Sequence, residues 1–414
     1  MYQIYSVLYR VVLFFLLPFE YLKRPKALRR RWLRERFGFI EPSDRPTIWI
    51  HAVSVGEVNA SVPFIKALKE RFPSRGIVVS TITDTGQEIA SKRLSDIARI
   101  IYLPFDTPSA LKRAVKRTNP IAFISVETEI WPNVFRVMKN SGSAIAVVNG
   151  RISEGSFNGY RKIRFFLKNV FHYIDIFCMQ NNLYAGRITE IGADPERVMV
   201  TGNFKFDIGT EPSRWDISFL GTTIIAGSTH RGEEDLILDT YIRLKKEFPS
   251  LCLILAPRHP ERFDEVYNLS ASKGVSVIRR SGLQGESVAE GSVFLLDVMG
   301  ELFSAYSKAD IAIIGGSFIK HGGQNPLEPA FWEKPILCGP HMENFPFIEE
   351  FFKEGGAIRV NTSDALYEAL RGLIKEPSKR VSIGKRAKAL CMKNSGAIEK
   401  TIEALSNYIK NGDI

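Results

Sequence analysis

Cysteine is scarce, with Cys178, Cys252, Cys338 and Cys391 the four present in 414 residues. They stand far apart, mostly in apolar runs, without metal-ligand spacing, which predicts buried reduced thiols and a body in a reducing compartment. Histidine is also sparse, and His51, His172, His230, His259, His321 and His341 show no paired ligand spacing. A histidine-bound metal centre is therefore not indicated. Asp-x-Asp does not occur, which argues against a divalent cation bridging a diphosphate. A Gly-x-Ser-x-Gly elbow is missing too, and no Cys–His pair suggests covalent catalysis. Neither an internal repeat nor a low-complexity tract is found, so solenoid and disordered classes drop out.

What is present is positive charge. Lys and Arg number 56 against 45 Asp and Glu, a formal net charge of +11. Such a balance points to an anionic partner: nucleic acid, a membrane surface or a phosphorylated substrate. Residues 1–22 are apolar and aromatic, interrupted by Arg10, Pro18 and Glu20, and no small-residue cleavage site follows. Next comes a basic run, Lys23, Arg24, Lys26, Arg29, Arg30, Arg31, Arg34 and Arg36, containing Glu35 as its one acid. An apolar segment with a basic flank reads as an anchor on the cytoplasmic, anionic leaflet, either spanning or interfacial. An amphipathic core helix with a solvated basic tail is the plainer alternative. Nucleic acid is not favoured, because no recognition motif accompanies the charge.

From Pro46 the chain alternates apolar runs with helical patterns. Strands are expected at 47–53, 76–81, 100–103, 121–126, 144–148, 176–179 and 198–200. A second series is expected at 222–226, 252–256, 275–279, 293–296, 310–314 and 336–338. Two series of alternating strand and helix predict two doubly wound parallel α/β domains. The mixed stretch Lys205–Leu220 reads as a linker. Ligands of such sheets sit at the carboxyl ends of strands, so two facing domains would place the chemistry across a cleft.

The loops after these strands carry the candidates. Gly315-Gly316-Ser317 and Gly322-Gly323 lead into Asn325-Pro326-Leu327-Glu328. Asn325 suits an N-cap and Pro326 a first helical position, so free amides at a helix start would hold phosphate while Glu328 meets vicinal hydroxyls. The glycine spacing fits neither the dinucleotide fingerprint nor a Walker loop, and a structural glycine-rich turn stays open. Glu57 follows Ser54-Val55-Gly56 at a helix start, where the dipole favours the carboxylate form a general base needs. It could equally be an ordinary first-turn acid. Glu127 and Glu129 after the fourth strand are costly to bury unless paired or used, and Arg151 could neutralise either. Lys205 could meet an anion or lie exposed. Ser228 to Gly232 make a second possible anion site. Arg258, after Pro257, can clamp a phosphate. Val298-Met299-Gly300 could read a base edge or form a plain turn.

Taken in order, these motifs resemble the 3-deoxy-D-manno-octulosonic acid (Kdo) transferases of lipopolysaccharide assembly. The shared motifs are SVGE (Ser54–Glu57), ETEIWPN (Glu127–Asn133), NGRIS (Asn149–Ser153), GNFKFD (Gly202–Asp207) and GSTHRGEE (Gly227–Glu234). They continue as APRHPERF (Ala256–Phe263), GGSF (Gly315–Phe318), NPLEP (Asn325–Pro329) and GPHMENF (Gly339–Phe345). Gln324 stands where the family leads one to expect histidine. The resemblance implies a GT-B glycosyltransferase of two Rossmann-like domains facing across a cleft, inverting, without metal or cofactor. It implies CMP-Kdo as donor, a lipid A precursor (lipid IVA) as acceptor, and an N-terminal anchor at the cytoplasmic face of the inner membrane. By motif, Glu57 would be the general base, with Glu127 and Lys205 stabilising the transition state. Pro257, Arg258, Val298, Met299, Gly300, Asn325, Pro326, Leu327 and Glu328 would bind CMP. The implied division is anchor and flank 1–40, acceptor domain 41–207, linker 208–220 and donor domain 221–414. Another sugar-nucleotide enzyme of the same fold, transferase or epimerase, and a non-catalytic membrane scaffold are the competing readings.

Overall fold

A computed structural model describes residues 2–207, 215–283 and 287–409 of the chain. Two compact units emerge: Met1–Asp207 with Ser395–Ile414, and Ile208–Asn394.

The first unit holds a parallel sheet of β1 (Thr47–His51), β2 (Gly76–Thr81), β3 (Arg99–Tyr102), β4 (Pro120–Val126), β5 (Ala144–Gly150), β6 (Ile176–Met179) and β7 (Val198–Val200), ordered β3-β2-β1-β4-β5-β6-β7. Its inner strands are apolar on both faces because helices cover both, as parallel sheets require. Ile48, Ile50 and Val79 enter one core while Trp49, Val78 and Phe123 enter the other. The order reverses between β1 and β4, so the loops after those two strands diverge around a crevice.

A second unit begins with β8 (Ser218–Phe219) and continues with β9 (Thr223–Thr229), β10 (Cys252–Pro257), β11 (Val277–Arg279), β12 (Ser287–Val288), β13 (Val293–Leu295), β14 (Ile311–Ile314), β15 (Ile336–Cys338) and β16 (Ala357–Arg359). Seven of these strands form a parallel sheet, β11-β13-β10-β9-β14-β15-β16, while β8 and β12 pair separately. Here the reversal lies at β9 and β14.

Every expected strand forms, with ends moved by up to three residues; β8, β12 and β16 went unforeseen. The domain boundaries need correction at two places. Residues 208–214 of the expected linker lie outside the described residues, but Trp215 and Ile217 are buried against Phe294 in the second unit's core. The indole N–H of Trp215 also donates to Glu301 at 2.7 Å. At the other end, the helix Ala397–Ser406 belongs to the first unit, not to a 221–414 domain. Its apolar stripe of Ala397, Ile398, Ile402 and Leu405 shares a core with Val58, Val62 and Ile65. Asp207 caps it, accepting the N–H groups of Gly396 and Ile398 at 2.5 and 2.6 Å.

The N-terminal segment forms two helices, Tyr2–Lys23 and Lys26–Arg36, separated at Pro25. Much of the basic run is committed within the protein. Arg24 pairs with Asp84 at 2.8 Å, and Arg29 donates to the carbonyls of Leu22 and Arg24. Arg31 pairs with Glu35 at 2.7 Å, while Arg36 is buried over the Phe105 ring. Lys23, Lys26, Arg30 and Arg34 remain outward.

Candidate active site

In the first unit, carboxylates and cations gather at the sheet's switch point. After β1, Ser54 N-caps the helix Val55–Arg71. Glu57, three residues on, reaches back over the cap: its Oε1 accepts the Ser54 hydroxyl at 3.0 Å and its Oε2 the N–H of Val53, the residue before the cap, at 2.7 Å. The two bonds fix the carboxylate in one orientation. Its pKa is pushed up to about 7, chiefly by burial, opposed by the Val53 N–H and raised further by the charges of Glu127 and Glu129. A half-ionised carboxyl near neutrality is suited to accepting a proton.

Glu127 is the first residue after β4 and takes a positive φ of 57°, which turns the chain sharply into the crevice. Burial raises its pKa, while Arg151 and Lys205 hold it down. Glu129 is likewise raised by burial and then by Glu127. Thr128 pins the neighbouring loop, its Oγ1 accepting the Arg151 N–H at 3.0 Å and donating to the Arg151 carbonyl at 2.5 Å. Lys205 sits on the short 3-10 turn Phe204–Phe206. Phe204 stacks on Phe64 with centroids 4.9 Å apart, tying that turn to the helix that carries Glu57. Burial lowers the Lys205 pKa, Glu127 raises it, and Arg151 lowers it again. Glu57, Glu127, Glu129, Arg151 and Lys205 thus form one electrostatic group, although their loops are spread over some 150 positions of sequence.

In the second unit the expected nucleotide-binding positions follow β13, β10 and β14, which with β9 are four adjacent strands. Pro257 ends β10 buried, and Arg258 begins the exposed loop beyond it. Val298, Met299 and Gly300 follow β13, with Met299 59% exposed and Gly300 at φ 92°. That loop is braced by Asp297, which accepts from Arg279 at 2.6 Å and from the Ser281 N–H at 2.8 Å. Glu328 has its pKa raised by burial and lowered by Asn325 and Arg258, so the three converge.

The glycine-rich loop departs from expectation. Two of its amides do not await an external anion, because a carboxylate of the chain itself takes them. Glu233, fully buried, accepts from Gly316 N–H at 2.7 Å, Phe318 N–H at 3.0 Å and His230 N–H at 2.9 Å. The loop after β9 is thereby fastened to the loop after β14. Close approach explains Gly315, where a Cβ would lie 2.2 Å from the Ser228 carbonyl oxygen. At Gly322 and Gly323, side chains would strike Asn344 and Met342. The helix after Asn325 is a single turn, Leu327–Phe331, with Pro326 at its cap position and Asn325 Oδ1 accepting the Leu327 N–H at 3.1 Å.

Gln324 donates to His230 Nε2 at 2.9 Å, and the His230 ring lies 4.0 Å from that of His321 and 5.4 Å from that of His259. Burial, then the neighbouring histidines and arginines, lower the His230 pKa to about 4. Glu234, also buried, pairs with Arg262 through contacts of 2.7 and 3.1 Å. Acidity at 233–235 is visible in the sequence, but two of the three N–H groups that Glu233 accepts lie 83 and 85 residues away. No local pattern marks it.

Comparison with known proteins decides the family. The chain is 35% identical to the 3-deoxy-D-manno-octulosonic acid transferase of Haemophilus influenzae over 94% of its length and 93% of the relative's. It belongs to the Kdo transferase family. A family model described as 3-Deoxy-D-manno-octulosonic-acid transferase (kdotransferase) matches residues 31–208. The Bordetella pertussis 3-deoxy-D-manno-octulosonic acid transferase is 30% identical, over 87% of each chain. Among solved structures, the UDP-GlcNAc 2-epimerase of Neisseria meningitidis superposes with a TM-score of 0.59 at 14% identity, covering 87% of this chain and 100% of that one. That likeness is one of fold: two doubly wound units in series, the GT-B class. As a Kdo transferase the chain is a glycosyltransferase of lipopolysaccharide synthesis, and the epimerase alternative rests on fold alone.

Proposed function

We propose that this Kdo transferase moves Kdo from CMP-Kdo to a hydroxyl of a lipid A precursor, lipid IVA, with inversion and without metal. The observation that carries the proposal is Glu57: a carboxylate held rigid by Ser54 and Val53 at the switch point, with a pKa near 7. Glu57 accepts the acceptor hydroxyl's proton as the oxygen attacks the ketosidic carbon. As the bond to CMP breaks, that carbon gains oxocarbenium character, which a nearby carboxylate stabilises; Glu127 supplies it. Lys205, close enough to perturb Glu127, balances negative charge on the sugar or the departing phosphate. CMP is held by Arg258 at its phosphate, Glu328 at vicinal hydroxyls, and Pro257, Val298–Gly300 and Asn325–Leu327 around the nucleoside. Attack opposite the leaving group gives single-displacement inversion. The chain acts at the cytoplasmic face of the inner membrane, where lipid acceptor and nucleotide sugar meet.

The test is a mass spectrum of products from CMP-Kdo and tetraacylated lipid A precursor in the presence of a chelator. Addition of Kdo by the native protein and its loss in Glu57→Ala support the reading. No addition by the native protein, or near-native turnover of Glu57→Ala with unchanged product, overturns it.

A further inference from the structure

The helix Tyr2–Lys23 is long and apolar enough to cross a bilayer by length and composition. Its side chains tell against crossing. One stripe is committed to the first unit: Tyr5 donates to Asp106 at 2.7 Å, and Ser6 exchanges hydrogen bonds with Asn133 at 3.0–3.1 Å. The Tyr9 hydroxyl accepts the Asp106 N–H at 3.2 Å, and Leu13, Leu17 and Tyr21 cover Trp32, Tyr102 and Phe105. The opposite face is apolar and open: Ile4, Leu8, Val11, Phe15, Phe19 and Leu22 stand 50–68% exposed, with Val7, Val12, Phe14 and Leu16 exposed beside them.

We propose that this helix lies in the plane of the membrane surface, its inner stripe bound to the body and its outer stripe sunk into the acyl boundary of an anionic bilayer, without spanning it. The proposal rests on the reading of the chain as a transferase of a membrane lipid. Three observations commit the outer face to lipid. A stripe of this kind at spacings of three and four is the pattern of an interfacial helix. Arg10 and Lys23 on the helix, and Lys26, Arg30 and Arg34 just beyond it, are exposed and cationic, matching anionic headgroups. Spanning would tear the inner stripe from the body, placing tyrosine and serine hydroxyls in hydrocarbon and leaving the Asp106 carboxylate without its Tyr5 partner.

Topology labelling tests this. All four native cysteines are buried, so Gln3→Cys provides the one reactive thiol for a membrane-impermeant maleimide, scored against full labelling in denaturant. In the plane of the cytoplasmic leaflet, Gln3→Cys reacts in inverted inner-membrane vesicles and not in intact spheroplasts. A spanning helix, with its basic flank on the cytoplasmic side, gives the reverse; that result, or labelling in neither preparation, overturns the proposal. As a second reading, Phe15→Asp with Phe19→Asp should weaken binding to phosphatidylglycerol vesicles by about tenfold or more. Unchanged binding overturns the assignment of the outer face. The same double variant should keep near-native Kdo transfer to detergent-dispersed acceptor. Absence of transfer by the native protein would instead sink the function, whatever the labelling shows.

Discussion

The side-chain carbonyl of Asn149 accepts the backbone N–H of Phe204 at 3.1 Å, joining the end of β5 to a turn 55 residues away. The next residue on that turn is Lys205, whose own N–H is held by Asn203 at 3.0 Å. Asn149 adopts a φ of 53°, a conformation asparagine tolerates better than most residues, and is fully buried. Asn149→Ala is expected to reduce Kdo transfer by about tenfold or more through misplacement of Lys205. Asn149→Asp retains the acceptor oxygen and should recover part of the loss. CMP affinity, which the proposed function assigns to the other unit, should not move. Equal activity of the alanine and native proteins would remove Asn149 from the positioning of Lys205.

With Glu57 as the proposed base, its carboxyl should set two pH dependences of opposite value to the enzyme. Below about pH 7 it takes up a proton and cannot act as a base, so transfer should fall as pH drops through 7. Stability runs the other way. A carboxyl whose folded pKa lies above its ordinary 4.5 binds a proton more tightly when folded, so its contribution to stability falls as pH rises from about 4.5 to 7. Glu57→Gln, which stays neutral, should therefore raise the melting temperature at pH 8 more than at pH 5 while abolishing transfer. A melting temperature unaffected at both pH values would show that burial of this charge carries no strain.

Much of this architecture was legible in the sequence because buried parallel strands are short runs of Val, Ile and Leu, and such runs are local. The loops after them could be found by position alone. What stayed hidden depends on distant partners. Ala357–Arg359 is a three-residue edge strand ending in an exposed arginine, too short and too polar to register. The last helix carries an apolar stripe, but nothing in it names the unit it will cover; Asp207 does that through two hydrogen bonds. The glycine-rich loop illustrates the limit most plainly. Its amides were read as a site for an external anion, yet two of them, at Gly316 and Phe318, are taken by Glu233.

Removing the Glu233 carboxylate should therefore unsettle the second unit. Glu233→Ala leaves the buried N–H groups of Gly316, Phe318 and His230 without an acceptor, at a cost of roughly 2–4 kcal/mol. Chemical unfolding should report the loss, and CMP affinity should fall with it as the two loops separate. Glu233→Gln keeps one carbonyl acceptor and should lie between. Full stability of the alanine variant would mean that another group or water takes over all three bonds.

Arg258→Ala and Glu328→Ala should each weaken CMP by about 1.5–3 kcal/mol, the range for hydrogen bonds to charged groups. The two residues already sense each other electrostatically, so their effects should not simply add, and the double variant should lose less than the sum. Calorimetric titration with CMP measures all three. Affinity unchanged in both single variants would place the nucleotide elsewhere in the unit.

Deleting residues 1–23 separates holding the membrane from holding the fold. If the helix were only a tether, the truncated body would be as stable as the whole chain. Its inner stripe says otherwise, because deletion removes the Tyr5 and Ser6 hydrogen bonds and uncovers Trp32, Tyr102 and Phe105. Lost hydrogen bonds and exposed aromatic surface together should cost on the order of 3 kcal/mol. Tyr5→Phe, which removes a single hydroxyl from Asp106, should account for about 1–2 kcal/mol of that. Urea unfolding in a mild detergent separates these effects from lipid binding. The truncated protein should still transfer Kdo to dispersed acceptor, since Glu57 is the first candidate catalytic residue in the chain. Equal stability of truncated and full-length protein would show that the inner stripe does not hold the helix to the body, and the in-plane arrangement would lose its physical basis.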